Sequence, residues 1–125
     1  MCDTLLDFVE SYDIVLLDCD GVLYGGPHIL GKSFETVKWL ESKGKKVFFI
    51  TNSSGNTREA FIKKFAKMGL EVKGEQIYGS AYVTAHYLKE RHPEINHVRV
   101  VGMDSIKHEL SQVGIKSEGG QDKED

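Results

Sequence analysis

Short, purely apolar runs alternate along this chain with longer segments whose apolar residues recur every three or four positions. The runs at residues 14–17 and 47–50 are too short for helices, and each ends in a polar cluster, as buried parallel strands do. Residues 33–43, which lie between these runs, carry helical spacing and end at Gly44, a common helix stop. This alternation predicts an α/β domain built on a parallel sheet.

The remaining elements follow the same alternation. Asn56 and Glu59 resemble a capping box, so a second helix is predicted to begin there and to run to Gly69. After it come a strand, a helix, a strand and a helix, predicted at residues 76–78, 80–91, 98–101 and 104–113. The last stretch, residues 117–125, carries two adjacent glycines and several acids, and is predicted to be a solvated tail or a loop cut short.

The composition and charge of the chain indicate what kind of protein it is and which partners it can have. The chain has 125 residues and a mass of 14.0 kDa, enough for one domain with a real core, and 40% of its residues are hydrophobic, as is ordinary for a globular protein. Its 16 Lys and Arg residues face 19 Asp and Glu, so it has no basic surplus with which to neutralise a phosphate backbone. Nucleic acid is therefore excluded as a main partner.

Cysteine usage and the start of the chain point to the cytoplasm. Cys2 and Cys19 are too few for a disulfide framework and match no zinc-binding spacing. The first ten residues are acidic rather than basic, so no secretory or organellar signal is visible. No apolar run is long enough to span a bilayer, and no membrane partner is expected.

The candidate chemistry lies where the first two predicted strands end, because ligands of a parallel sheet bind beyond the carboxyl ends of its strands. Asp18 and Asp20 follow the first strand. Such a pair is either a solvated loop start, or else a nucleophile or a site for a hard cation such as Mg²⁺. Thr51 and Asn52 follow the second strand, and the backbone from there to Gly55 either turns its N–H groups toward an anion or forms a simple polar turn.

Taken together, the two clusters have the parts needed to move a phosphoryl group. Asp18 would attack phosphorus, and Asp20 would protonate the leaving oxygen and then activate a water. Mg²⁺ would offset the repulsion between the phosphate and the carboxylates. The expected partner is therefore a small phosphorylated metabolite.

The strings DCDGVLYGG and VFFITNSSGNTRE carry a family resemblance. From about residue 12 to residue 114 the chain resembles the haloacid dehalogenase-like phosphatases, and within them the p-nitrophenylphosphatase, phosphoglycolate and pyridoxal phosphate phosphatase branch. The resemblance implies a Rossmann-like parallel sheet, an incomplete core of that family, followed by the start of a cap domain. It also implies Mg²⁺-dependent hydrolysis of small phosphate monoesters, such as p-nitrophenyl phosphate or phosphoglycolate, through an aspartyl-phosphate.

The same resemblance assigns a role to each matching position. It implies that Asp18 is the nucleophile and a side-chain Mg²⁺ ligand. It implies that Asp20 is the general acid and base, gives its backbone carbonyl to the metal and lies against the phosphate. Residues 24–30 match the flap that follows the nucleophile strand. The other implied phosphate-binding positions are Gly21, Thr51, Asn52 and Ser53, where the branch usually reads Thr-Asn-Asn-Ser and this chain has serine third.

Two parts of such an enzyme have no match in this chain. The family also uses a lysine that steadies the phosphate and a later Gly-Asp-x-x-x-x-Asp segment for Mg²⁺, and nothing beyond Asp104 matches them. We therefore expect residues 1–96 to form the N-terminal part of the core, and residues 97–125 to begin the cap of a longer phosphatase. The edge of the nucleophile strand would then be bare, and self-association through it is expected.

Other functions are compatible with parts of the pattern. A receiver-type phosphoacceptor domain has this length, but its acceptor Asp follows a later strand. A Rossmann nucleotide-binding module would need a Gly-x-Gly-x-x-Gly or a Walker lysine motif, and neither is present. The main alternative is a catalytically inactive chain that binds phosphate and Mg²⁺.

Several reactive residue types are assigned to packing or to solvent. The five histidines show no metal-ligand spacing. Cys19 is expected to be a small packing residue rather than a nucleophile, since the acids beside it would raise its pKa. Lys63, Lys64 and Lys67 are expected to form a solvated helix face.

Overall fold

The fold is given by a computed structural model, which describes residues 3–120. Its α-helices and strands are, in chain order, α1 (Asp3–Glu10), β1 (Ile14–Asp18), β2 (Tyr24–Gly25), β3 (His28–Ile29), α2 (Ser33–Ser42), β4 (Lys46–Thr51), α3 (Arg58–Lys67), β5 (Ile77–Gly79), α4 (Ser80–Arg91), β6 (His97–Val100), α5 (Asp104–Gln112) and β7 (Lys116–Gly119), with a short 3₁₀ helix (Gly74–Gln76) before β5. The predicted alternation of strands and helices is confirmed. Within this described part of the chain, no helix is long and apolar enough to cross a membrane.

The main sheet has three parallel strands in the order β1-β4-β5. Asp18 at the end of β1 lies opposite Ile50, and Thr51 at the end of β4 lies opposite Gly79 of β5. Since all three strands run in the same direction, their carboxyl ends lie at one edge of the sheet. Both polar clusters of the sequence therefore lie at this edge.

One face of the main sheet carries the larger hydrophobic core, which is covered by α2 and α3. Phe65 of α3 lies among its aromatic side chains. The centroid of its ring is 5.0 Å from that of Phe49 and 5.9 Å from those of Tyr24 and Phe34. This packing holds β4, and with it the strand end that carries Thr51.

A second, smaller core follows in the chain. β6 and β7 pair in parallel as a separate two-stranded sheet, against which α5 and one side of α4 pack. The buried side chains of this core are Ala85, Val100, Leu110 and Ile115. Because α4 contributes to it, the domain boundary between residues 96 and 97 stays a prediction.

The end of the described chain differs from the prediction. β7 occupies Lys116–Gly119, so the solvated tail predicted from residue 117 is wrong for this stretch. The polar side chains of β7 carry no strand signal. The pairing depends on backbone hydrogen bonds to β6 and on the neighbouring Ile115, which is buried. Residues 121–125 lie outside the described residues.

A helix precedes β1 in the sequence and a hairpin follows it. α1, where no element was predicted, packs Val9 against the larger core. β2 and β3 form an antiparallel hairpin in which Tyr24 pairs with Ile29. The flap at residues 24–30 is therefore a short hairpin that begins just after the acidic pair.

Among residues 3–120, the β1 side of the opposite face of the main sheet and the outer edge of β1 are open to solvent. On that face Ile14, Leu16 and Ile50 are 53%, 63% and 42% exposed. Among residues 3–120, β1 pairs along its length with β4 alone. The prediction that β1 is a buried strand is therefore wrong for this chain, whereas its bare edge agrees with the expectation from the family.

We expect this chain to self-associate through β1, and we expect the replacement of Leu16 by lysine to abolish that association. Residues 14–17 are an uncharged stretch of β1 whose outer edge is unpaired among residues 3–120, which favours antiparallel pairing with β1 of a second copy. A lysine on each copy would place like charges close together across that pairing. Sedimentation velocity should show a concentration-dependent dimer for the unchanged chain and a monomer for Leu16→Lys.

The matched control for this experiment is Val83→Lys. Val83 is an exposed apolar residue of α4 rather than of the sheet, so its replacement should leave the dimer intact. An unchanged chain that stays monomeric at every concentration contradicts pairing through β1. Equal dissociation of the Val83→Lys chain contradicts it as well.

Candidate active site

Two strand ends meet at the candidate active site. Asp18 is the last residue of β1 and Thr51 is the last of β4, and these strands are hydrogen-bonded neighbours. In register Asp18 lies opposite Ile50, so Thr51 is one residue further along the adjacent strand. The two polar clusters of the sequence thus lie side by side, while the roles of their residues stay predictions.

The side chains of Asp18 and Asp20 point to the same side of the chain. Cys19 between them is buried in the larger core, and side chains of an extended chain alternate, so both acids point away from that core. Both residues are exposed to solvent. Oδ1 of Asp18 accepts a hydrogen bond from the Cys19 N–H at 2.9 Å, which orients the carboxylate and leaves its other oxygen free of that bond.

A tight turn follows Asp20 and depends on Gly21. The Gly21 N–H donates to the Tyr24 carbonyl at 2.8 Å, and the Leu23 N–H donates to the Cys19 carbonyl at 2.9 Å. Gly21 has a φ of +80°, which a residue with a side chain adopts only at a cost of about 1–2 kcal/mol. A Cβ added at Gly21 would meet no other atom within 4 Å among the described residues, so glycine is needed here for the backbone conformation and not for space.

The Thr51 loop, residues 51–55, is held by its own hydroxyl groups. Thr51 is buried, and its Oγ1 accepts a hydrogen bond from the Ser53 N–H at 3.1 Å. Ser53 Oγ accepts in turn from the Gly55 N–H at 3.3 Å. Each hydroxyl keeps its own proton as a donor. The serine at the third motif position therefore shapes the loop itself.

The chain passes from the Thr51 loop into the N-terminus of α3. Thr57 is the N-cap of this helix, and its Oγ1 accepts from the Ala60 N–H at 3.2 Å. The predicted cap at Asn56 is wrong by one residue, because two residues that both favour the cap position stand side by side in the sequence. The positive end of the helix dipole follows directly, where it favours an anion.

Tyr24 anchors the hairpin to the larger core. Tyr24 is fully buried, its hydroxyl has no hydrogen-bond partner among the described residues, and Lys64 Nζ lies 3.9 Å from its ring centroid. The prediction of a solvated lysine face is therefore wrong for Lys64, which is half-buried. Burial first, and then the nearby Cys19 and Asp20, raise the pKa of the Tyr24 hydroxyl, so it stays protonated.

Cys19 is a packing residue, as predicted. Burial raises the pKa of its thiol from 9.0 to about 12, and Asp18 and Asp20 add to the increase. Burial thus contributes more than the acids on which the prediction was based. A thiol that stays protonated at neutral pH is a poor nucleophile, which leaves Asp18 as the candidate.

Cys19 is expected to resist alkylation in the folded chain. In a Cys2→Ser background, iodoacetamide should label Cys19 at neutral pH only after denaturation, because the thiol is buried and protonated. The pKa of this thiol is 9.0 in the unfolded chain and about 12 in the folded chain. The free energy of unfolding therefore falls as the pH rises through that range. Mass spectrometry measures the labelling, and rapid modification of the native chain would contradict the buried position.

The acidic pair suits a hard cation. Between residues 3 and 120, no group of three or more His, Cys, Asp or Glu side chains is placed to hold a metal ion. Asp18 and Asp20 do provide two exposed carboxylates on one side of the chain. Mg²⁺ in proteins is usually held by one or two carboxylates, with waters and substrate phosphate completing its shell. The residues present therefore fit Mg²⁺.

Three residues outside both motifs hold this site from other elements. The hydrogen bonds are Ser80 Oγ to the Asn52 carbonyl (3.1 Å), Ser105 Oγ to the Ser54 carbonyl, and the Arg58 N–H to Glu109 Oε1 (3.1 Å). Ser105 and Glu109 each lie 51 residues from their partners. No local sequence motif could have revealed contacts over such a separation.

Known proteins resemble this chain over most of its length. A model of the haloacid dehalogenase-like hydrolase family matches residues 15–116. The chain is 38% identical over 118 residues to a 4-nitrophenylphosphatase of Schizosaccharomyces pombe, covering 93% of this chain and 40% of that protein. It is 37% identical over 121 residues to phosphoglycolate phosphatase 1A of Arabidopsis thaliana, covering 96% of this chain and 33% of that protein.

A solved structure shares the fold. The crystal structure of a glycerol phosphate phosphatase from Mycobacterium tuberculosis in complex with magnesium matches with a TM-score of 0.77 at 22% identity, over 88% of this chain and 33% of that one. The chain thus spans between 33% and 40% of the length of these proteins. The fold class and the resemblance stated from the two motifs are confirmed. This chain belongs to the haloacid dehalogenase-like hydrolase family, in which the two relatives named above are phosphatases.

Proposed function

We propose that this chain provides the phosphoryl-transfer site of a phosphatase that hydrolyses small phosphate monoesters. The observation that carries the proposal is the placement of Asp18 and Asp20 beside the Thr51 loop at adjoining strand ends. A carboxylate nucleophile next to a set of anion-binding donors is what phosphoryl transfer requires. The phosphatase names of the relatives support the same activity.

The first step forms an aspartyl-phosphate on Asp18. The carboxylate oxygen of Asp18 that is free of the Cys19 N–H attacks phosphorus, and the bond from phosphorus to the ester oxygen breaks. Asp20 gives its proton to the departing oxygen, which leaves as an alcohol. In the second step Asp20 takes a proton from a water that attacks the same phosphorus, so inorganic phosphate leaves and the Asp18 carboxylate is restored.

The Thr51 loop receives the phosphate during both steps. Thr51 and Ser53 offer hydroxyl donors, Asn52 offers its side-chain amide, and the N-terminus of α3 adds its dipole. On the other side, the turn at Gly21 lets the backbone after Asp20 approach the phosphate without a side chain in between. Donors fixed in advance on both strands stabilise the charge that develops in the transition state.

Mg²⁺ is the metal that we assign to this site. The side chain of Asp18 and the backbone carbonyl of Asp20 would be its protein ligands. When bound, Mg²⁺ neutralises part of the charge that the phosphate and the carboxylates bring together. The structural neighbour from Mycobacterium tuberculosis was solved in complex with magnesium, which supports this choice of metal.

The proposed substrates are small phosphorylated metabolites, with phosphoglycolate and p-nitrophenyl phosphate as test compounds. The names of the two relatives support this class of ester. We place the activity in the cytoplasm, on the strength of the low cysteine content of the chain. Residues 97–125 are proposed to begin a cap beside the site. The second hydrophobic core, which this segment shares with α4, supports the proposal.

Release of p-nitrophenol from p-nitrophenyl phosphate tests this function. The folded chain should release p-nitrophenol when Mg²⁺ is present, stop when EDTA removes the metal, and resume when Mg²⁺ is restored. An equal rate with and without Mg²⁺ would contradict the role of the metal. A folded sample that neither turns the substrate over nor binds phosphate would contradict the function itself.

A second candidate function is binding of phosphate and Mg²⁺ without turnover. The observation that favours it is the small set of ligands, since residues 3–120 place no third acidic side chain with Asp18 and Asp20. Titration with inorganic phosphate, followed through the backbone amide signals of residues 53–55, separates the two candidates. Binding without release of p-nitrophenol selects the second candidate, and binding with release selects the first.

A further inference from the structure

We propose that Glu109 is a positioning residue for the Thr51 loop and acts through the backbone of α3. Together with Ser105, one turn earlier on α5, it holds the segment between the Thr51 loop and α3 in the shape that receives a phosphate. This inference rests on the proposed function, which gives the Thr51 loop its anion. Neither residue belongs to the two motifs from which the site was recognised.

Glu109 lies in the interior although it carries an ionisable group. It is 5% exposed, and its Oε1 accepts a hydrogen bond from the Arg58 N–H at 3.1 Å. Arg58 is the first residue of α3, where backbone N–H groups lack partners within the helix. Burial of a carboxylate is costly unless the group is hydrogen-bonded, and the helix start supplies that bond. The contact therefore ties α5 to the first turn of α3.

Ser105 extends this contact along the same face of α5. Residues four apart on a helix lie on one face, so Ser105 and Glu109 reach the same neighbouring segment. Ser105 Oγ donates to the Ser54 carbonyl, while Glu109 accepts from Arg58. These two hydrogen bonds tie α5 to both ends of the segment formed by residues 54–58.

The side chain of Arg58 is fixed separately from its backbone. Its Nε donates to the Ile77 carbonyl at 2.9 Å, and its guanidinium carbon lies 3.7 Å from the ring centroid of Tyr82. The guanidinium is therefore held by β5 and α4, whereas the carboxylate of Glu109 contacts the backbone N–H. The start of α3 is fixed from two directions as a result.

Two serines from different helices set the direction of the peptide groups in the Thr51 loop. Ser80 at the start of α4 donates to the Asn52 carbonyl at 3.1 Å, and Ser105 donates to the Ser54 carbonyl. In a trans peptide the C=O and the following N–H point in opposite directions. The N–H groups of residues 53 and 55 therefore point away from α4 and α5 and donate to the hydroxyl groups inside the loop. This leaves the hydroxyl protons of Thr51 and Ser53 for a phosphate oxygen.

Titration of the ¹⁵N-labelled chain with inorganic phosphate tests the inference. The dissociation constant is read from the amide shifts of residues 53 and 55 in the unchanged chain, Glu109→Gln, Glu109→Ala and Ser105→Ala. Glu118→Ala is the matched control, because Glu118 is an exposed acid in the same half of the chain. Hydrogen exchange of the Arg58 amide is measured without ligand, and thermal melting checks that each variant folds.

The expected results distinguish a role of Glu109 in holding the backbone geometry from an effect of its charge. Glu109→Gln keeps an oxygen that accepts from Arg58, so its phosphate affinity should stay within about two-fold of the unchanged chain. Glu109→Ala should bind phosphate roughly ten-fold more weakly, the size expected when one hydrogen bond is lost and the Arg58 N–H is left without its acceptor, and its Arg58 amide should exchange faster. Glu118→Ala should change neither quantity.

Several outcomes would overturn the inference. One is a folded Glu109→Ala chain that binds phosphate as tightly as the unchanged chain, and another is a Glu109→Gln chain that binds as weakly as Glu109→Ala. If Glu109→Ala does not fold, unchanged affinity in Ser105→Ala has the same meaning. An unchanged chain that binds no phosphate overturns the proposed function instead, and the exchange rate of the Arg58 amide then decides whether Glu109 holds α3.

Discussion

Replacing Asp18 by asparagine is expected to abolish hydrolysis of p-nitrophenyl phosphate, with a loss of at least ~10³-fold in a preparation that turns the substrate over. The amide of asparagine is not a nucleophile, so no bond to phosphorus forms. Its oxygen still accepts from the Cys19 N–H, as Oδ1 of Asp18 does, and the fold is kept. Steady-state release of p-nitrophenol, measured beside a thermal melt, checks this result.

The control for Asp18→Asn is Asp13→Asn. Asp13 is an exposed acid just before β1, at the opposite end of the strand from the site. Its replacement removes the same charge and should leave the rate within about two-fold, because surface substitutions away from a site have small effects. Retained activity in Asp18→Asn, or an equal loss in both variants, would remove Asp18 from the role of nucleophile.

Replacing Asp20 by asparagine is expected to separate the two chemical steps. An alkyl ester such as glycerol phosphate needs a proton on its leaving oxygen, so its hydrolysis should fall by about 10²–10⁴-fold. p-Nitrophenolate leaves without such help, and the first step on p-nitrophenyl phosphate should continue. The second step still needs a base for water, so rapid mixing should show one burst of p-nitrophenol followed by slow turnover.

The pattern of loss in Asp20→Asn decides its role. A general acid and base predicts a larger loss for the alkyl ester than for the aryl ester, together with the burst. Equal losses for both esters and no burst would mean that Asp20 acts by binding the metal or the phosphate alone. Asp13→Asn again serves as the control for charge.

The residues at the strand ends could be identified from sequence because local rules determine their placement. Apolar runs end at Leu17 and Ile50, and parallel strands that are neighbours bring their carboxyl ends to one edge. Alternation along an extended chain then places Asp18 and Asp20 on one side and Cys19 on the other. The positions of these residues in the sequence were enough to predict that the two polar clusters meet at one edge of the sheet.

The residues outside the two motifs that hold the site, such as Glu109, could not be identified from the sequence in the same way. Glu109 lies in a short amphipathic helix, and its sequence surroundings give no sign that it would be buried. Its burial depends on how α5 packs against α3 and α4, which is a tertiary property. Such contacts depend on how whole helices and strands pack against one another, and not on the residue pattern within a single helix or strand.

Three other predictions from the sequence are wrong, each for a specific physical reason. β7 is a strand without apolar alternation, because its pairing with β6 is made by the backbone. The charge of Lys64 alone predicts a solvated side chain, but the stem of a lysine packs readily over an aromatic ring such as that of Tyr24. β1 has the composition of a buried strand, yet one face and one edge of it are uncovered among the described residues.

Trapping of the covalent intermediate tests the central claim most directly. The folded chain is mixed with p-nitrophenyl phosphate and Mg²⁺, quenched in acid and reduced with borohydride, which converts the acyl-phosphate of an aspartate to an alcohol. Peptide mapping by mass spectrometry should find the resulting mass change at Asp18, and Asp18→Asn should show none. A sample that releases p-nitrophenol but carries the change at another residue, or at no residue, would contradict an aspartyl-phosphate at the end of β1.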